Sequence, residues 1–449
     1  MIRNLSKYFL KRLIDKYFVI TKSFRSVKPL SYCKRVILLT ETGTRDFMPR
    51  LAQANELWKR YKIPSIVLHK HFLSTLSKDD FKNTLVIDKS ATLKCLSRFR
   101  YCRLRGAVTS VIPEELIVIN NDHALLSASL HKYSIAQIDY LIGGGEMIEK
   151  YAMKNKLKII KCRNPRFNIN EIDKVNEELK IKKVNHKKDF LLINDNSGLA
   201  FSSLPNEEEL IKKLFWKSNY SGTNYLNIIK KEEEESTENL IKLVKELEKK
   251  DIFKNLDIII RPHPSIDLKL YKKFMISKLP KTARIKIIRD GSALNIMKNA
   301  TAIFHHNCTT GVEAYYAGLT NTFNFASKPR FGYAPNIDKY IPCLGIEDSI
   351  KLCIKKIKNK QLKNYNPKKY NDKNLYEILG KEMNKSHAKF SNIKSLDRLE
   401  KIFKNKKVIH KSALDRWDSA NKIIELLKIK KKENFLVLGS VGVVVGNWD

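Results

Sequence analysis

The chain has 449 residues, 43% of them hydrophobic, which is too long for one ordinary core and too apolar for a disordered polymer. Charged residues make up 30% and the formal net charge is +39, so phosphorylated substrates, anionic lipid and nucleic acid all fit as partners. The lysines are spread along the chain rather than gathered in a tail, and no zinc-finger or aromatic sheet signature occurs, so no specific nucleic-acid partner is expected. No run of 18 apolar residues occurs, so no spanning helix is expected. The seven cysteines form no CxxC and no ligand cluster, which suits reduced thiols in a cytoplasmic protein.

Residues 1–30 carry a basic amphipathic helical pattern. Ile2, Leu5, Phe9 and Leu13 fall near one face, with lysine and arginine between them. Such a helix can lie on the anionic inner face of a membrane or pack on the domain behind it, and both readings stay open. From Lys34 the chain alternates short apolar strands, such as KRVILLTET and IPSIVLH, with helical stretches. That alternation, continued through NTLVID, GAVTSVI, IDYLIGG and LKIIKC, predicts a first Rossmann-like domain over residues 31–185. A second series starts at KKDFLLINDNSG. EEEESTENLIKLVKELEKKDIF reads as a long helix with acids at its start, and LDIIIRPHP, ARIKIIRDG, TAIFHHN and TNTFNF read as strands. These give a second Rossmann-like domain over 186–348, followed by a lysine-rich helical region over 349–449. The terminal FLVLGSVGVVVG is too short to span a membrane and fits none of these elements.

Ligands of parallel sheets sit outside the carboxyl ends of the strands, so the residues that end strands carry the chemistry. Arg261 and His263 close the strand LDIIIRPHP. Pro262 and Pro264 cannot donate ladder hydrogen bonds, so they stop the strand and stiffen the backbone that holds the imidazole. A guanidinium fork and an imidazole placed there can bind a phosphate. HHNCTTGVEAYYAG brings Asn307 to a strand end, and Thr309, Thr310 and Gly311 to the start of a helix, which makes an anion site. Glu313, one turn on, can accept from ribose hydroxyls or simply serve as a helix-start acid. VTSVIPEEL ends a strand with Glu114 and Glu115, either of which can deprotonate an acceptor hydroxyl. Gly43, Thr44 and Arg45, in the first strand-to-helix turn, and Arg166, in CRNPRFN, are candidates for acceptor binding. No GxGxxG fingerprint occurs, and no DxD-like metal motif stands at a strand end.

Together RPHP, SALNIMKNATAIFHHNCTTGVEAYYAG and NPRF resemble the bacterial surface carbohydrate biosynthesis proteins. That family is GT-B glycosyltransferase-like, and its motifs are similar to those of capsule Kdo transferases and bacterial polysialyltransferases. The resemblance spans roughly residues 35–330. It implies an α/β chain of GT-B type, two Rossmann-like domains facing across a cleft. It further implies a CMP-sugar donor whose phosphate meets His263, Pro264, Thr309 and Thr310, with no metal and no separate cofactor. In the family an acidic pair followed by glycine supplies the base. Glu114 and Glu115 match the acids, but Leu116 stands where the glycine would be. The expected function is transfer of an acidic sugar, with inversion, to a surface glycan such as capsule or lipopolysaccharide, the acceptor free or lipid-linked. Two alternatives remain: a glycerophosphotransferase of teichoic-acid type, and a non-catalytic scaffold of a glycan assembly at the membrane surface.

Overall fold

The computed structural model describes residues 27–41, 46–113, 130–144, 146–179, 189–198, 201, 222–263, 266–282, 284–289, 293–329, 341–361, 373–383, 435–438 and 442–445. The N-terminal amphipathic pattern falls on residues mostly outside this set; Leu30–Tyr32 form a single 3-10 turn.

The strands in chain order are β1 Arg35–Thr40, β2 Ser65–His69, β3 Thr84–Asp88, β4 Val108–Val111, β5 Tyr140–Ile142, β6 Lys158–Ile160, β7 Phe190–Asn194, β8 Asp257–Arg261, β9 Ile285–Ile287, β10 Ala302–His305, β11 Thr322–Asn324, β12 Phe435–Leu438 and β13 Gly442–Val445. The longer helices are α1 Met48–Tyr61, α2 Leu96–Leu104, α3 Glu146–Lys154, α4 Ile169–Glu178, α5 Gly222–Glu248, α6 Leu268–Lys278, α7 Ala293–Met297, α8 Thr309–Tyr316, α9 Gly345–Lys358 and α10 Leu375–Glu382.

Two sheets organise these elements. The first has the order β12-β13-β2-β1-β3-β4-β5-β6, and the second β11-β10-β7-β8-β9. Every pairing from β2 to β6, and every pairing in the second sheet, is parallel. This is the two-domain α/β architecture that the alternating elements predict. Residues of β1, β2, β3, β7 and β8 are buried at every position, because helices cover both faces of a parallel sheet. Apolar runs rather than alternating patterns therefore mark these strands.

The C-terminal region does not end as helix. β12 and β13 form an antiparallel hairpin that adds to the edge of the first sheet beside β2. Val443 and Val445 enter the first core with Val36, Leu38 and Leu51. The glycine-rich apolar segment is therefore an edge hairpin, and it covers an edge that a bare β2 would leave open. α10 also returns to the first domain: Leu375 and Leu379 join the same core, and Gly380 meets the Tyr61 ring so closely that a Cβ would lie 2.3 Å from it. The long helix of the second domain starts at Gly222, ahead of the acidic run, so Glu232 to Glu235 lie inside α5 rather than at its start. Among the described residues no helix is long and apolar enough to cross a membrane, and none of the seven cysteines forms a disulfide.

The segment between the domains is built into both. Ile172, Val175 and Leu179 of α4 and its end belong to the first core, whereas Ile169 belongs to a second-domain core with Leu192 and Ile303. Lys298 at the end of α7 pairs with Asp173 of α4, and the Phe167 and Tyr316 rings stack with centroids 4.5 Å apart. The two domains are thus pinned to each other along one seam.

Val443 is fully buried, so Val443→Asp places a carboxylate in that core without a partner. The expected loss is on the order of 3 kcal/mol in urea unfolding of the full chain; an unchanged midpoint would show that the hairpin does not belong to the cooperative unit.

Candidate functional site

In a strand, alternate residues share a face, and in-register neighbours on a parallel sheet share it too. Phe190 and Leu192 of β7, Ile259 of β8 and Ile303 of β10 form an apolar layer under α7 and α8. The next position on that face of each strand is polar. Asn194 is in register with Arg261 on one side and with His305 on the other. All three are buried, at 2%, 6% and 0% exposure. In sheet order the chain reverses direction between β7 and β10, so this row lies at the topological switch point, where open α/β sheets bind ligands.

A cleft opens at this point. Asn194, Asp195, Arg261, Pro262, His263, Cys308, Thr309, Thr310 and Glu313 line it from the second domain. Met48 and Pro49 of α1 line it from the first, and Arg166, Ile169 and Ile172 from the seam. The far-separated stretches RPH and CTTGVE, picked out in the sequence as strand-end and helix-start motifs, thus share one wall. Pro264 lies outside the described residues, as do Gly43, Thr44, Arg45, Glu114 and Glu115.

The start of α8 is set by a buried imidazole. The Cys308 N–H donates to His305 Nδ1 at 3.3 Å, so the ring proton sits on Nε2. Burial, with help from His306, pushes the His305 ring down to about 3, so it stays neutral. Nε2 lies against Gly311, where an added Cβ would come within 2.4 Å of it. Gly311 is therefore required for close approach of a ring to a helix. The Thr310 hydroxyl lies beside the Cys308 thiol, which burial raises and that hydroxyl partly lowers again.

Asn307 is likewise held within the fold. It holds a left-handed φ of 47°, a conformation asparagine tolerates. Its Nδ2 donates to the Lys328 carbonyl at 2.8 Å, and its Oδ1 accepts from Asn324 Nδ2 at 2.9 Å. Its amide is spent on the turn between β10 and α8, and it does not line the cleft. Glu313 and Arg166 do line it, but as a salt bridge across the seam, with side chains 13% and 5% exposed. Arg166 therefore meets a second-domain carboxylate rather than standing open for an acceptor.

On the first domain, the switch point lies between β1 and β3. Glu41 follows β1 and takes Lys70 and Lys89, each at 2.6 Å. These cations hold its carboxyl well below the usual range despite burial. Asp88, ending β3, takes Arg98 at 2.6 Å. Burial pushes the His69 ring, ending β2, down to about 3.

Asn194 and Asp195 are two wall residues outside the motifs RPHP and HHNCTTG. Their signal is the same as in TAIFHHN: the apolar run FLLI stops abruptly on polar residues. Asp195 is buried and accepts from the Ser197 hydroxyl at 2.7 Å and the Ser197 N–H at 3.0 Å. Burial still raises its carboxyl. The Tyr271 phenol is pushed far up by burial and by this facing carboxyl. Among the described residues no three His, Cys, Asp or Glu side chains converge as a metal site.

No protein-family model matches the chain, and no curated protein matches its sequence. Several solved structures align with it over much of its length. The UDP-GlcNAc 2-epimerase of Methanocaldococcus jannaschii superposes with a TM-score of 0.45 at 14% identity, over 83% of this chain and 99% of that one. MnaA of S. aureus, solved with UDP, gives 0.43 at 10% identity, over 83% and 97%. The pneumococcal O-GlcNAc transferase GtfA, in complex with UDP and GlcNAc, gives 0.32 at 13%, over 65% and 53%. The chain's own two parallel sheets make two Rossmann-like α/β units that line one cleft.

Gly311→Ala should push the His305 ring and the first turn of α8 apart. The expected cost is about 1–3 kcal/mol, seen as a lower thermal midpoint. His69 and His305 stay neutral when folded but gain a proton near 6.5 when unfolded, so the unfolded chain binds more protons at mild acid. Their stabilising effect is complete above pH 6.5 and is lost as pH falls toward 3. At pH 5 each should cost about 2 kcal/mol relative to neutral pH; urea midpoints measured at both pH values check this, and His305→Asn should shrink the difference.

Proposed function

We propose that the chain is a glycosyltransferase that moves a sugar from a nucleotide donor to a glycan acceptor, with a CMP-linked acidic sugar as the donor. The observation that carries this reading is the concentration of phosphate-binding chemistry at the second switch point. Arg261, His263 and the Thr309–Thr310 end of α8 meet there on one wall of a cleft between two domains. The resemblance of RPHP and HHNCTTG to sialyltransferase-type motifs supports CMP as the nucleotide.

In this reading the acceptor oxygen attacks the anomeric carbon from the face opposite the leaving phosphate. The bond from that carbon to the phosphate oxygen breaks, the electron pair leaves on the phosphate, and the configuration inverts. Arg261, His263 and the first turn of α8 stabilise the charge that develops there. The acceptor proton passes to Glu114 or Glu115. Two rival strand-end carboxylates of the first domain suit that task less well. Glu41 is clamped by two lysines and Asp88 by Arg98, and a carboxylate so stabilised is a poor base. Glu313 reaches the ribose hydroxyls, since a carboxylate has acceptor sites beyond those that Arg166 occupies.

The test is turnover of CMP-sugars by the purified full-length chain, with UDP-sugars and CDP-glycerol as the other donors. CMP-sugar turnover is expected, with kcat/KM lowered about 100-fold or more in His263→Ala and about 10-fold in Thr310→Ala. Normal CMP-sugar turnover in His263→Ala would remove the role given to that residue. Turnover of CDP-glycerol alone would replace this reading by glycerophosphate transfer, and binding of no nucleotide at all by a scaffold.

A further inference from the structure

We infer that Asn194 is the residue that reads the sugar part of the donor; this rests on the glycosyltransferase reading above. The Asn194 side chain ends the central strand of the second sheet and lines the cleft. Its exposure is 2%, yet neither Oδ1 nor Nδ2 has a hydrogen-bond partner among the described residues. Buried amides are nearly always satisfied, and one left orphaned on both atoms, on a residue that lines a cleft, points to a ligand.

The chemistry of the amide narrows what that ligand group can be. Nδ2 donates and Oδ1 accepts, so full satisfaction needs a partner that does both. An ionised phosphate only accepts, and would leave Oδ1 orphaned. Sugar hydroxyls and an acetamido group each donate and accept. The surroundings divide the labour in the same sense. Arg261, in register on one flank, carries the cation for phosphate. His305, on the other flank, is neutral, with Nδ1 occupied by the Cys308 N–H and Nε2 against Gly311. Asn194 thus stands between a phosphate-binding cation and a neutral ring, as the neutral donor–acceptor pair of the row.

A purely structural asparagine and a ligand-reading one respond oppositely to replacement. Leucine has nearly the same shape and no polar atoms. Replacing an orphaned buried amide by an apolar isostere leaves the free protein as stable or more so, whereas replacing a bonded one destabilises it. The experiment is therefore Asn194→Leu, with Asn194→Ala beside it, read by two measurements. One is the thermal midpoint without ligand. The other is calorimetric titration with CMP and CMP-N-acetylneuraminic acid, and with UDP and UDP-N-acetylglucosamine.

Wild type should bind one sugar nucleotide more tightly than its free nucleotide. Both variants should lose about tenfold or more of that added affinity, and bind the free nucleotide within about threefold of wild type. The thermal midpoint of Asn194→Leu should equal or exceed that of wild type. A preserved sugar increment in the variants, an equal loss for the free nucleotide, or no increment in wild type would each overturn the assignment while nucleotide binding still stood. A lower midpoint in Asn194→Leu would show an amide already bonded within the fold, and would overturn it too. Failure of wild type to bind either nucleotide would instead remove the glycosyltransferase reading, and this inference with it.

Discussion

The site depends on the register of the second parallel sheet. Because β7 pairs in step with both β8 and β10, the last residue of each strand falls in one row on one face. Two positions back that row is leucine and isoleucine, sealed under α7 and α8. At the carboxyl edge it becomes Asn194, Arg261 and His305, where the helical cover stops and the cleft begins. A slip of one residue in β7 would turn Asn194 to the opposite layer and put Ile193 in the cleft. The continuous apolar burial of the strands is what holds the register. Each buried isoleucine or leucine contributes roughly 1.5–3 kcal/mol, more than any single polar contact at the edge.

From that row the rest of the wall follows. His305 cannot be solvated, so it is neutral, and its Nδ1 takes the N–H of Cys308. That bond sets the turn into α8, and the ring leaves room only for glycine at position 311. Asn307, in a left-handed conformation between strand and helix, spends its side chain on Asn324 and Lys328. Thr309 and Thr310 then arrive at the cleft beside Arg261 and His263. Residues that look like ligand groups in the sequence are thereby sorted into those that shape the wall and those that face the opening.

The seam completes the cleft from the other side. α4 divides its apolar face between the two cores, and Arg166 just before it pairs with Glu313 of α8. Separating two buried charges without new partners costs several kcal/mol, so the pair resists opening of the domains at the point where a ligand would sit. The first domain contributes Met48 and Pro49 of α1 to the cleft, and holds the clamped carboxylate Glu41 at its own switch point. The positive charge of the chain is thus partly spent inside it, on strand-end carboxylates, rather than displayed only as an anionic-partner surface.

The sequence by itself determined the alternating α/β elements and the polar stretches RPH and CTTGVE that end or follow their apolar runs. Apolar runs that end on polar residues mark buried parallel strands and their carboxyl edges, and both signals are local. Only the tertiary structure decided which polar residues face the cleft. Asn307 and Gly311 read as ligand contacts along the chain, but the Asn324 amide, brought in by β11, and the His305 ring, at the end of the preceding β10, fill the space beside them. Asn194 passed unnoticed because an orphaned amide can be recognised only once every neighbour is known. The pairing of Arg166 with Glu313 spans 147 positions of the chain, and the return of the C-terminal hairpin to β2 spans still more. Such contacts are set by packing between distant segments, and no spacing or composition along the chain encodes them directly.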